Sequence, residues 1–148
     1  MDIVTGIGLL LFSNGRILTV RELRDKPQYC KIAGMISFPV ETFDKNQDRN
    51  LEDTLSRILQ EELGIRDADE VSILGIVPTI FRPIPAREDI DIHYGLAAFL
   101  GNPNRIFTPE DTDDVEVVGW MTPEKLYAAS PIRVEVRPIL DDFFSRKK

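Results

Sequence analysis

The 148-residue sequence predicts one domain of the α/β (α+β) class with a mixed sheet. The first observation is a set of apolar, β-rich runs, which lie at Ile3–Phe12, Arg16–Arg21, Val71–Phe81 and Ile90–Leu96. The second is one well-marked helix at Leu51–Leu63, which these runs precede and follow. The third is that no repeat, low-complexity tract or long linker divides residues 1–148, so we expect a single domain.

Short signals in the chain set the boundaries of these elements. Asn14-Gly15 lies between the first two β-rich runs and predicts a tight hairpin, because both residues tolerate positive φ. Asn50 is a good N-cap for the helix and Asp53 follows three residues later, as in a capping box. Gly64 is placed to end the same helix.

The C-terminal third of the chain predicts one strand and two helices. The alternating run Val115–Trp120 predicts a short strand, and Thr122 is a good cap for the brief helix that follows. The tail 131–148 has a helical pattern, in which Pro138 should start or kink the helix.

The composition restricts the kinds of protein this chain can be. Apolar residues make up 43% and charged residues 29%, as in ordinary globular proteins. A single cysteine, Cys30, and a single histidine, His93, exclude an internal disulfide and an ordinary zinc site. The longest apolar run, Ile7–Phe12, is far shorter than the about 20 residues of a membrane span, and the acidic N-terminus lacks a signal-peptide pattern. We therefore expect a cytoplasmic protein without membrane association.

The charge balance argues against long nucleic acids as partners. With 18 basic and 25 acidic residues the net charge is −7, which repels polyanions. A small phosphorylated ligand stays compatible with this charge if cations are gathered locally or a metal mediates. One such concentration comprises Arg21, Arg24, Lys26 and Lys31, offset by Glu22 and Asp25. Such a run of residues more often forms a solvated loop of mixed charge.

The predicted helix carries two carboxylates close to its apolar face. At 100° per residue, with Leu51 at zero, Leu55 and Ile58 lie close to the centre of the inward stripe. Glu62 falls in the middle of that stripe and Glu61 on its flank. A carboxylate on an apolar face is costly unless it is paired, protonated or bound to metal. The structural alternative is that Glu62 reaches water in the last turn and that Arg57 and Glu61 form a surface pair.

The segment RILQEELGI, Arg57–Ile65, resembles the second half of the Nudix box, Gx5Ex7REUxEExGU, where U is a bulky apolar residue. Six positions match in register: Arg57, Leu59, Glu61, Glu62, Gly64 and Ile65. The order of elements around the motif also agrees, with MISFPVE before it and the Trp-bearing VEVVGWMTPEKL after it. The resemblance implies a Nudix-like α/β/α sandwich with a mixed sheet over nearly the whole chain.

Three departures from the box bear on activity. Ile58 stands where the family has the first Glu of REUxEE, and Val40-Glu41 stands where it usually has two glycines. Fifteen residues separate Glu41 from Arg57, against thirteen in the family pattern. The loop glutamate of the box therefore falls on Arg49, and Asp48 would replace it only if the loop bulges, which we do not expect.

The resemblance implies metal-dependent cleavage of a nucleoside diphosphate-linked substrate. Mg²⁺, or Mn²⁺ in its place, would bridge the diphosphate oxygens and activate water, and hard cations prefer oxygen ligands. Glu61 and Glu62 would be the metal ligands, with a backbone carbonyl near Val40. The remaining ligand or base would be Glu116, and after it Asp113 or Asp114.

Each further candidate has a structural alternative. Glu116 fits equally the outward position of an alternating strand, and the acidic residues at 111–114 fit a solvated loop. His93 fits a cross-strand surface residue, and Phe38 and Trp120 fit core positions better than base stacking. Arg82 and Arg87 could contact phosphate or serve a proline-rich turn.

Two functions stay open at this point. The first is a Nudix hydrolase acting on a small nucleotide-type phosphorylated substrate, with weakened catalysis, which the retained Glu61, Glu62 and Gly64 favour. The second is a catalytically inactive Nudix-fold module that binds a ligand or a protein, which Ile58 favours. The sequence fixes neither the substrate nor the oligomeric state, and a homodimer is compatible with it.

Overall fold

A computed structural model describes residues 3–81, 90–110 and 112–146 of the chain. Its strands are β1 Val4–Ser13, β2 Arg16–Glu22, β3 Ile36–Ser37, β4 Val40–Thr42, β5 Val71–Phe81, β6 Ile90–Phe99 and β7 Val115–Met121. Its α-helices are α1 Leu51–Arg57, α2 Pro123–Tyr127 and α3 Val136–Arg146. A π-helical turn, Ile58–Glu62, continues α1, and short 3₁₀ turns lie at Pro27–Tyr29 and Ala68–Glu70. None of the helices in these ranges is long and apolar enough to cross a membrane.

The strands form one mixed sheet, as the sequence predicts. The order is β3-β2-β1-β6-β5, with β4 paired to β1 and β7 paired to β2. Strands β1 and β6 run parallel over the register Val4↔Ile90 to Phe12↔Ala98. The other strand pairs are antiparallel.

The first hairpin confirms the turn predicted at Asn14-Gly15. The pair Phe12↔Ile17 is followed by Ser13↔Arg16, which leaves two residues in the turn. Asn14 has φ 52° and Gly15 has φ 74°, the left-handed conformations that such a turn requires.

Helices cover both faces of the sheet, so the structure has three layers. On one face, α1 and the π turn pack Leu55, Ile58 and Leu63 against β1 and β6. On the other face, α2 and α3 supply Leu126, Val136, Ile139, Leu140 and Phe143. Because both faces are covered, β1 is apolar almost throughout rather than alternating, which is typical of a central strand.

The ends of the helices follow the predicted caps. The Asn50 side chain accepts a hydrogen bond from the Asp53 amide, and that of Thr122 accepts one from the Lys125 amide. Pro138 lies in the first turn of α3, where a missing amide is tolerated.

Gly64 ends the π turn for two physical reasons. Its φ is +67°, and a Cβ at this position would lie 1.9 Å from the Thr108 carbonyl oxygen. Only glycine allows the chain to leave the helix so close to the 108 backbone. This close approach fixes the end of the helix, and with it the position of Glu61 and Glu62.

Candidate metal centre

Glu62 is the carboxylate of the helix that is most removed from water. Its Oε2 atom is buried and has no hydrogen-bond partner among the residues that the structure describes. Burial, and secondly the negative charge of Glu41, raise the pKa of the Glu62 carboxyl to about 8. The prediction that Glu62 faces inward is confirmed for this oxygen, while the residue as a whole is half-buried.

The π turn aims the two glutamates differently. In this turn Leu63 donates its amide to the carbonyl of Ile58, five residues back, rather than four. Such wide turns occur often at functional sites because they re-orient side chains. The Glu61 side chain stays 41% exposed and lies beside Arg57, while Glu62 turns inward.

Arg57 connects the helix to the strand and loop that precede it. Its guanidinium binds Asp48 at 2.7 Å and the Thr42 carbonyl oxygen at 2.8 Å. The same group lies 3.8 Å from Glu61 and 4.0 Å from Glu41. Arg57 is therefore more than the surface partner of Glu61: it holds three carboxylates around one end of the helix.

Asp48 is buried in the loop between β4 and α1. Its side chain is fully buried and accepts hydrogen bonds from Arg57 Nε at 2.8 Å and from Thr54 Oγ1 at 3.0 Å. The Arg57 hydrogen bonds hold the pKa of Asp48 well below its usual range. The loop folds back through an Asp44–Asp48 turn with a 2.7 Å backbone hydrogen bond, which brings Asp48 to Arg57. That Asp48 does not replace the loop glutamate of the box stays a prediction.

Strand β4 presents backbone acceptors toward this site. Leu9 donates to the Pro39 carbonyl and Phe43 donates to the Thr5 carbonyl, so residues 39 and 43 face β1. In an antiparallel ladder hydrogen-bonded residues alternate, so Val40 and Thr42 turn their backbone groups the other way. The Thr42 carbonyl bears this out, since it accepts from Arg57. The Val40 carbonyl points to the same edge of β4, as a metal-ligand role would require.

Glu41 is a further candidate, which the sequence analysis did not name. It is adjacent to Val40, its side chain is 30% exposed, and it acts electrostatically on both Glu62 and Arg57. It lines two cavities, one of about 890 Å³ that Arg57 also lines and one of about 220 Å³ that Val40 also lines. Its place in the family's glycine pair is the sequence signal that could have drawn attention to it.

Ile58 is part of the core. It is fully buried and packs in the cluster that includes Leu55, Leu59 and Leu63. No carboxylate is therefore presented from this position, and the side chain contributes to the apolar layer under the sheet.

The distal acidic candidates each pair with a cation of β2 or of the loop that follows it. Glu116 is directly opposite Arg21 in the β2–β7 pair and forms a 2.8 Å ion pair with it, with 47% of its side chain exposed. Asp113 lies 3.8 Å from Arg24, and Asp114 lies 3.1 Å from Lys26. A role for Glu116 as the base stays a prediction, and its ion pair with Arg21 favours the structural alternative.

The remaining candidates take structural positions or lie outside the described ranges. Phe38 is fully buried in the core, and Trp120 packs on Phe99 while its indole N–H donates to the Pro103 carbonyl. His93 is half-buried in β6, where burial lowers its pKa. Arg82 and Arg87 lie outside the described residues.

The donor set fits a hard divalent cation that completes its shell with other oxygens. The Glu62 Oε2 atom is buried without a hydrogen-bond partner among the described residues, and the charges of Glu41, Arg133 and Lys31 all act on this carboxyl. Within residues 3–81, 90–110 and 112–146, no three His, Cys, Asp or Glu side chains form a complete metal cage. Mg²⁺ commonly uses one or two carboxylates together with water and substrate phosphates, so an incomplete cage suits it.

Comparison with known proteins decides the family. The NUDIX domain family model matches residues 3–143, nearly the whole chain. The chain belongs to the Nudix family. Its motif helix is therefore the Nudix helix, and the mixed sheet between helical layers is the Nudix fold. A search of curated proteins found no match.

Solved Nudix structures share this fold at low sequence identity. The NUDIX domain of Shewanella oneidensis NrtR, solved with ADP ribose, is 16% identical, with TM-score 0.70 over 100% of this chain and 90% of that one. The MutT NUDIX hydrolase of Burkholderia pseudomallei is 20% identical, with TM-score 0.61 over 95% and 98% of the two chains. The Ap4A hydrolase of C. elegans is 17% identical, with TM-score 0.61 over 99% of each.

Proposed function

We propose that this protein is a metal-dependent Nudix pyrophosphohydrolase that cleaves a nucleoside diphosphate linked to a second moiety. The observation that carries the proposal is the buried Glu62 carboxyl, which has an unpartnered oxygen and lies beside Glu41 at the end of the Nudix helix. An acidic group kept in that position without a cation is destabilising, so its retention points to a ligand role.

In this proposal the metal ligands are Glu62, Glu61 and the Val40 carbonyl, with Glu41 as an added carboxylate. Bound Mg²⁺ or Mn²⁺ would neutralise the diphosphate oxygens and activate a water for in-line attack. Arg57 keeps Glu61 and Glu41 near the end of the helix, and its bond to the buried Asp48 fixes its own position. Glu41 compensates for the carboxylate that is missing at Ile58.

The substrate class follows from the family and from the comparisons. The Shewanella domain was solved with ADP ribose, and the C. elegans enzyme is named for Ap4A. Both compounds contain phosphoanhydride bonds next to a nucleoside, and we infer this class of substrate here. The cavities along Glu41 offer space for such groups on both sides of the helix end.

Catalysis should be weaker than in a complete Nudix box. Loss of a positioned general base costs about 10²–10⁴ in rate, and Ile58 offers no such group. We therefore expect turnover well below the roughly 10 per second of an ordinary enzyme.

A release assay tests the proposal directly. Phosphate or pyrophosphate release is measured with Mg²⁺ and with Mn²⁺ on nucleoside triphosphates, dinucleoside polyphosphates, ADP-ribose and nucleotide sugars. The control is the Glu61→Gln/Glu62→Gln variant, checked for folding by circular dichroism. Metal-dependent release by the wild type alone supports the hydrolase. No release from the whole panel contradicts it and indicates a binding module.

A further inference from the structure

The loop that joins β6 to β7 lies against the end of the Nudix helix. At their closest approach, a Cβ on Gly64 would lie 1.9 Å from the Thr108 carbonyl oxygen. Gly64 follows Glu62 by two residues. Contacts that this loop makes with the helix end therefore bear on the turn that carries Glu61 and Glu62.

Contacts with the sheet fix the path of the loop before it reaches the helix. Arg105 donates its amide to the Asn102 carbonyl at 3.1 Å, which closes a turn. The Trp120 indole N–H donates to the Pro103 carbonyl at 2.8 Å. The Phe107 ring packs edge-on against that of Trp120, with ring centroids 6.0 Å apart. The backbone of Arg105 is thus held close to β7.

The Arg105 guanidinium contacts a carboxylate, a backbone carbonyl and two aromatic rings. Its Nη1 atom lies 3.0 Å from Glu70 Oε1, and its Nη2 atom donates to the Gly64 carbonyl at 3.3 Å. Its central carbon lies 5.0 Å from the centre of the Phe107 ring and 6.0 Å from that of Phe99. A guanidinium carries its donors in a rigid planar fork, so the contacts with Glu70 and the rings fix the direction of Nη2.

The hydrogen bond to Gly64 acts on the last turn of the Nudix helix. The last carbonyls of a helix lack partners inside it, and a cation nearby also favours the negative end of the helix dipole. The Gly64 amide donates to the Gln60 carbonyl at 3.1 Å, which closes the turn around Glu61 and Glu62. Gly64 is thus held at its amide by the helix and at its carbonyl by Arg105.

A second arginine at the helix end offers a comparison within the same chain. Arg66 also pairs with the β6–β7 loop, through Glu110 at 2.8 Å, but its side chain is 72% exposed. This pair joins two side chains and does not involve the backbone of the helix. Exposed pairs of this kind contribute little, whereas the Arg105 side chain is 30% exposed and binds the helix end itself.

We propose that Arg105 is a positioning residue of the metal centre. It fixes the end of the Nudix helix through the Gly64 carbonyl and so keeps Glu61 and Glu62 directed at the metal. The effect on the metal rests on the proposed function. The fixed helix end does not, because it is a property of the protein without metal.

Hydrogen exchange in EDTA tests the helix end separately from the metal. Exchange at the Gly64 amide is followed by NMR in the wild type, Arg105→Met, Arg105→Lys and the control Arg66→Met. The Ile139 amide of α3, on the other face of the sheet, reports opening of the whole protein. Arg105→Met should speed exchange at Gly64 about tenfold or more beyond any change at Ile139, and Arg66→Met should leave both at wild-type rates.

A Mn²⁺ titration with adenosine α,β-methylene diphosphate tests the link to the metal ligands. Groups that hold metal ligands in place cost about 10–100-fold in metal affinity when they are removed, so Arg105→Met should raise the Kd for Mn²⁺ by that factor. Arg66→Met should bind Mn²⁺ like the wild type. A purely structural role would lower the melting temperature of Arg105→Met and leave this Kd unchanged.

Arg105→Lys serves if thermal melts show that Arg105→Met does not fold. Lysine keeps a positive charge for Glu70 but has one nitrogen in place of the fork, so it does not reach Glu70 and the Gly64 carbonyl together. The variant should fold and should change both readouts in the same direction as Arg105→Met.

Either of two results in a folded Arg105 variant would overturn the proposal: exchange at Gly64 that is no faster than in the wild type, or an unchanged Kd for Mn²⁺. If the wild type binds Mn²⁺ and the variant binds it equally well, the proposed function stands and the role of Arg105 is refuted. If the wild type binds no Mn²⁺, the proposed function fails and the metal part of this proposal with it. Exchange at Gly64 then still decides whether Arg105 fixes the helix end.

Discussion

Burial and the charge of Glu41 together raise the pKa of the Glu62 carboxyl, and one buried oxygen of Glu62 has no hydrogen-bond partner among the described residues. The two residues come from different elements, the π turn and β4, and Arg57 keeps Glu41 in place from the helix side. Two acidic groups arranged in this way favour the binding of a divalent cation at this site.

The raised pKa of Glu62 predicts a pH-dependent stability in EDTA. Between pH 4.5 and about 8 the unfolded chain loses this proton while the folded protein keeps it, so stability falls as pH rises. The Glu62→Gln variant has no carboxyl at this position, so its stability should not fall in this way. At pH 8 it should be more stable than the wild type, on the order of 3–5 kcal/mol, and at pH 4.5 the two stabilities should be similar. Urea unfolding at both pH values measures the difference.

Glu61→Gln is the matched control for that experiment, because Glu61 is on the more exposed side of the same turn. The unfolding free energy of Glu61→Gln should vary with pH as that of the wild type does. Added Mn²⁺ should restore the stability of the wild type at pH 8. A Glu62→Gln variant that is no more stable than the wild type at pH 8 would show that its carboxyl is solvated.

The buried Asp48–Arg57 pair predicts unequal losses of stability for substitutions at Asp48 and Asp53. Asp48→Asn leaves the Arg57 guanidinium without its closest partner and should cost about 3 kcal/mol of unfolding free energy. Asp53→Asn removes the partner of the exposed Arg49 and should cost less than about 1 kcal/mol. Equal losses in denaturant titrations would mean that the Asp48 pair is no more than a surface contact.

The buried position of Ile58 predicts the outcome of restoring the family's glutamate. Ile58→Glu places an unpaired carboxylate in the core and should cost several kcal/mol, a large part of a typical total stability. Mn²⁺ should not rescue it, and Ile58→Leu should fold normally because its volume is conserved. A metal-dependent recovery of the melting temperature, together with faster hydrolysis, would show that position 58 still reaches the site.

The exposed ion pair between Glu116 and Arg21 predicts that Glu116 contributes little to the metal centre. Glu116→Gln should leave Mn²⁺ affinity and hydrolysis unchanged and should alter stability by less than about 1 kcal/mol. A loss of activity with unchanged KM would instead identify Glu116 as the base, in agreement with the expectation from the family resemblance.

Local patterns in the sequence were sufficient to predict most of the fold. The Asn14-Gly15 turn, the Asn50 cap and the end at Gly64 each depend on a residue type that suits one backbone conformation, so the sequence alone identifies them. The inward position of Glu62 followed from helical periodicity, which the π turn did not disturb enough to turn it outward.

Contacts between segments that are far apart in the sequence could not be predicted from local patterns. Pairing of Asp48 with Arg57 depends on how a lengthened loop folds back, and that path is set by a turn hydrogen bond between Asp44 and Asp48. The position of Glu41 next to Glu62 depends on the pairing of β4 with β1.

A Mn²⁺ titration followed by electron paramagnetic resonance tests the central claim, that Glu62 is a metal ligand of this Nudix helix. It compares wild type, Glu62→Gln and the control Glu116→Gln, each with adenosine α,β-methylene diphosphate to supply phosphate oxygens. Loss of a residue that merely supports a ligand costs about 10–100-fold in metal affinity, so loss of Glu62 should cost at least tenfold. Wild type and Glu116→Gln should bind Mn²⁺ alike, and Glu62→Gln at least tenfold more weakly. Equal Mn²⁺ affinity in all three proteins would contradict the account.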